Sequence, residues 1–138
     1  MHITYILLAA LGAFVAYMAM GTLMFVTLPM LKREFAKYPA VYRDHQGQMS
    51  HMPVGMAGIF LSMLVLAVLY AMIYPGGAGV AAGVGYGALI GVYALGSFVL
   101  HNHANLNVGW RLTLFSALAY FVEWCAVGVA ISLIYRPT

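Results

Sequence analysis

Glu123 is the residue whose position most demands a chemical explanation. It is one of three acidic residues in a chain of 138, and it sits inside an apolar run. A charge at the centre of a membrane helix costs roughly 2.5–3.5 kcal/mol on insertion scales, so such a side chain turns toward protein or a wet cavity. Its helical neighbours Ser116, Ala119, Tyr120, Ala126 and Ala130 form a face of mostly small residues that points it inward. Two roles are open. One is a protonated glutamic acid hydrogen-bonded to a Tyr or Ser across the bundle; the other is a proton relay or an attachment point for a further subunit.

The histidines offer a second chemistry. His45, His51, His101 and His103 gather near the connectors on one side of the expected spans, and His2 stands alone on the other. His51 falls on one helical stripe with Gly55, Gly58 and Ser62. Extending the third span at five turns per eighteen residues puts His101 and Asn105 on the face of Gly83. His51 and His101 are therefore candidate axial ligands of a haem, and all four histidines are candidate ligands of a transition metal. Met49, Met52, Asp44 and Asn102 add soft and hard donors. The spacings match no established metal motif, and polar residues also collect at helix ends because water is close. Both readings stay open.

Other chemistries are absent. There are no paired carboxylates, nucleophile elbow, phosphate loop or CxxC. The glycines of the third span lie in an apolar helix, so a dinucleotide fold fails. The ten methionines fill apolar helices before they ligate copper. The lone Cys125 forms no internal disulfide.

The elements that position these residues follow from composition. Only 7% of residues are charged and 64% are apolar, against about 25% charged in a soluble domain. The mean hydropathy of +0.94 agrees. A soluble enzyme is excluded, and so is a nucleic-acid-binding domain, because four spans consume nearly the whole chain. The expected architecture is a single domain over residues 1–138, a compact up-down bundle of four transmembrane helices. The spans fall at about 3–31, 53–74, 79–100 and 112–135, with a polar cytoplasmic loop at 32–50 whose basic residues and interleaved Phe35, Tyr38 and Tyr42 suit an interfacial amphipathic turn or short helix.

The first span is roughly 43 Å at 1.5 Å per residue, longer than the hydrocarbon core of about 30 Å. It is read as a retained helix rather than a cleaved leader, with a bend expected at Pro29. Pro53 suits the first turn of the second span, and Tyr74-Pro75-Gly76-Gly77 breaks it into a hairpin. Lys32, Arg33, Lys37, Arg43 and Arg111 share one side, against Arg136 on the other. The positive-inside bias then places both termini and the hairpin outside the cytoplasm.

Helices in lipid associate through small residues. Gly79, Gly83, Gly87 and Gly91 recur every four residues along one face of the third span. Gly55, Gly58 and Ser62 do the same in the second. Ala9, Gly12, Ala13 and Ala16 mark the first span, and Ser116, Ala119, Ala126 and Ala130 the fourth.

From Gly87-Ala88-Leu89-Ile90-Gly91, through Asn105-x-Asn107 and Trp110-x-Leu112, to Tyr120-x-x-Glu123 and Gly128, the second half resembles small four-helix bacterial inner-membrane proteins of unknown function. That family usually carries Asp where this chain has Glu123, and His101-Asn102-His103 is outside its pattern. The resemblance implies a fold and a bacterial inner (cytoplasmic) membrane, and no activity. The functional expectation is a non-catalytic accessory or assembly subunit, packed against other membrane subunits or its own copies. The alternatives are a haem- or metal-binding protein using the histidines and a proton-coupled transporter subunit centred on Glu123.

Overall fold

In hydrocarbon every backbone N–H and C=O must be met within its own segment, so an apolar chain of this kind folds as helix. The computed structural model describes residues 2–137, apart from the side chains of residues 25 and 26. Helix α1 spans Ile3–Thr27, α2 Pro29–Phe35, α3 His45–Ile73, α4 Gly79–Ala94, α5 His101–Asn105 and α6 Trp110–Ile134. A π-helical stretch, Leu95–Leu100, joins α4 to α5. No strand occurs among the described residues. Four stretches are long and apolar enough to cross a membrane: Ile3–Met24, His45–Ile73, Gly79–Asn105 and Trp110–Ile134.

The boundaries differ from expectation where proline and a cap intervene. The first helix does not run to residue 31. Leu28 leaves the helical region at φ −107° and ψ 74°, and Pro29 opens α2. A residue before proline is pushed out of the α region by the ring, so the break falls there. Nor are residues 32–50 one loop, because α2 reaches Phe35 and α3 begins at His45. Asp44 caps α3, its carboxylate accepting the Gly47 N–H at 2.8 Å. Pro53 thus lies inside α3 rather than at its start. The hairpin between α3 and α4 forms as expected: Gly77, at φ +79°, donates its N–H to the Tyr74 carbonyl at 2.9 Å.

The extensive helix contacts join α4 to α6, α6 to α1, and α1 to α3. The first and last long helices are the inner pair. No contact of comparable extent joins α3 to α4, although a short turn connects them. One core cluster gathers Ala9 and Ala13 of α1, Met63, Ala67 and Tyr70 of α3, Tyr86 of α4, and Val127 and Ile131 of α6. A smaller one joins Met24, Leu31, Leu112 and Ala119.

The α4–α6 seam is nearly bare backbone. Gly83, Gly87 and Gly91 are buried, and an added Cβ would meet Gly128 or Ser132, Trp124 or Cys125, and Phe121 respectively. Gly79 does not belong to this seam. A Cβ there would meet nothing within 4 Å, and its φ of +75° makes it a turn glycine.

Candidate functional site

Two recesses meet inside the bundle. The first, of about 720 Å³, lies between α1, α3 and α6, with Leu31 and Phe35 contributed from around α2. His45, Met52 and Ile59 line its α3 wall. They are spaced by seven, two turns each, so the wall extends roughly 21 Å along that helix. Glu123 lies among Tyr17, Gly21, Tyr120 and Ser116. The residue is 6% exposed, and its carboxyl has no hydrogen-bond partner among the described residues. Gly21 makes the space: a Cβ there would stand 3.0 Å from Glu123 Oε1. Gly21 was not legible as a site residue, because nothing in its spacing connects it to Glu123.

The second recess, of about 970 Å³, is the gap between α3 and α4. Tyr17, Ile59 and Tyr120 border both recesses, so the two adjoin beside those side chains. Near the hairpin the gap is closed by Tyr86, whose hydroxyl donates to the Leu66 carbonyl at 2.8 Å and whose ring meets Tyr70 edge-on. Beyond it the walls are Gly55, Gly58 and Ser62 on one side, and Tyr93, Ser97 and Phe98 on the other. A Cβ on Gly55 or Gly58 would meet nothing within 4 Å. The small stripe expected to pack α3 inside the bundle therefore faces open space. Trp124 also lines this gap, and its indole N–H is buried without a partner among the described residues.

Each histidine has its own local setting. His51 sits exposed on α3, its Nδ1 at 2.9 Å from the Gly47 carbonyl and 3.0 Å from Ser50 Oγ. His101 is exposed, and its Nε2 lies 3.0 Å from Asn105 Nδ2. His103 Nδ1 lies 2.8 Å from Thr113 Oγ1, and its ring rests against Trp110 at 3.8 Å between centroids. His45 is the first residue of α3 rather than a loop residue, and it lines the recess that holds Glu123. Among the described residues no three His, Cys, Asp or Glu side chains gather as a metal site. The π-helical stretch explains why His101 is not carried along the glycine face. One extra residue in a turn rotates everything beyond it by about 100°.

A polar knot at the start of α6 was missed by sequence reasoning. Glu34 is 4% exposed. Its Oε1 lies 2.7 Å from Lys37 Nζ and 3.3 Å from Arg111 Nε. Tyr38 accepts the Gly109 N–H at 2.8 Å, meeting a donor at the start of α6. Nearby, burial and then the adjacent Tyr38 push the Tyr42 phenol above its ordinary pKa.

Fold and recesses together define a small helical protein with four membrane-length helices, an open gap between consecutive helices, and an enclosed carboxyl. The chain matches no family model, no curated protein and no solved structure.

Proposed function

We propose that this protein is a non-catalytic membrane subunit that receives a transmembrane helix of a larger complex between α3 and α4. The observation that carries the reading is the gap itself. Helices joined by a short turn ordinarily pack as neighbours, yet α3 and α4 do so only near Tyr86. In lipid, glycine and serine stripes serve close helix approach, and Gly55, Gly58 and Ser62 offer one with nothing against the glycines. The positive-inside count supports an arrangement with both termini outside the cytoplasm, and the family resemblance supports a bacterial inner membrane. The histidines are then helix-end residues, and haem or metal ligation is the lesser reading.

A photo-crosslinking residue at Ser62, in protein assembled in its native membrane, tests the proposal. The expected product is a defined polypeptide adduct that Gly58→Leu abolishes while the fold persists. Adducts to lipid alone would overturn it. An adduct to a second copy of this chain would replace the accessory role with a homo-oligomer.

A further inference from the structure

We propose that the recess around Glu123 is a binding site for a lipophilic organic monocation, such as a quaternary ammonium or phosphonium ion. Three features on different helices converge. The first is Glu123 on α6, a residue 6% exposed overall, whose carboxyl reaches the recess and has no hydrogen-bond partner among the described residues. A cation beside such a carboxyl favours its ionised form over the protonated one, and among the described residues no Lys or Arg lines this recess to do so.

The second is aromatic. Tyr17 on α1 and Tyr120 on α6 line the recess beside Glu123. The negative face of an aromatic ring attracts a desolvated cation, and aromatic cages are the common receptors for quaternary ammonium groups. The third is size and lining. About 720 Å³ is the scale of a drug-sized ligand site, and the remaining walls are mostly apolar, as such sites require. A metal ion would want several oxygen ligands, whereas one carboxylate amid apolar and aromatic walls suits a large soft cation. Gly21 keeps the carboxyl accessible, since a side chain there would crowd Oε1.

A proton and an organic cation compete for one carboxylate, so acid weakens cation binding. Among the described residues the other titratable groups facing the recess are the Tyr17 and Tyr120 phenols and the His45 imidazole on α3; α2 contributes Leu31 and Phe35. This inference does not depend on what occupies the gap between α3 and α4.

The test is equilibrium binding of tetraphenylphosphonium to the full chain in nanodiscs, with neutral triphenylphosphine oxide as comparison. The expected result is saturable binding of the cation that falls as pH is lowered. Glu123→Gln should weaken it about tenfold or more, and Tyr17→Leu or Tyr120→Leu several-fold. Glu123→Asp should retain most of it. His45→Gln should preserve the pH dependence, and Leu89→Ala, on a face 72% exposed, should change nothing. If Glu123→Gln fails to fold, carbodiimide labelling of wild-type Glu123 decides: the cation should protect it and the neutral compound should not. Absence of saturable binding, equal binding of the neutral compound, or equal affinity in a folded Glu123→Gln would overturn the proposal.

Discussion

Gly87 of α4 and Gly128 of α6 stand backbone to backbone: a Cβ built on Gly128 would lie 2.6 Å from the Gly87 nitrogen and 2.7 Å from its Cα. Neither atom is the free end of a flexible side chain, so a methyl group at this point has to part the helices. Two residues away, a Cβ on Gly85 would meet nothing within 4 Å.

The two positions therefore separate packing from helix propensity. Gly87→Ala and Gly128→Ala should each cost about 1–3 kcal/mol, the usual price of overpacking. Gly85→Ala should be neutral or stabilising by up to about 1 kcal/mol, because alanine is the better helix former. Melting temperatures in one detergent check this, and equal values for all three would mean that the seam packs nothing.

Glu34 joins α2 to the start of α6 through Arg111. Replacing it with Gln leaves two cations without their shared carboxylate. Both remain in water, with side-chain exposures of 55% for Lys37 and 63% for Arg111, which keeps the cost well below that of a buried pair. A loss of about 1 kcal/mol is expected, and it should shrink in high salt, where screening has already weakened the attraction in the wild type. A salt-independent loss would point to packing alone.

Tyr42 predicts an alkaline limb. Its phenol is held above the ordinary value of 10.0 by burial and by Tyr38. The unfolded chain releases this proton first, so the contribution to stability is complete below pH 10 and is lost as pH rises through the folded-state value. Tyr42→Phe should flatten the fall in melting temperature above pH 10. An unchanged slope would place the alkaline instability elsewhere.

How far the sequence could be read follows its periodicities. Hydropathy marks four spans because each is a continuous apolar run. Gly83, Gly87 and Gly91 announce their seam by fours, and the rarity of a charge in a span singles out Glu123. Gly79 shares that spacing yet sits in a turn, since a period cannot tell where a helix starts. The cap at Asp44 was hidden among charges, and Pro53 drew the helix start toward itself. His101 was projected through a helix assumed to be regular, and the Leu95–Leu100 stretch breaks that phase. The Gly55 and Gly58 stripe is legible by its spacing, but not the open space in front of it, which depends on how α3 and α4 diverge. Gly21 with Glu123, and Glu34 with Arg111, are pairs brought together only by tertiary packing.

Because α1 and α6 form the inner pair, the order in which the helices leave the ribosome matters to assembly. Helix α4 meets its main partner only when α6 is made, last of the four. Until then its glycine face has nothing to close upon, and α1 and α3 are the only extensively packed pair in the membrane. A nascent chain stalled before residue 110 should consequently remain open to membrane proteases, becoming resistant in a single step once α6 enters.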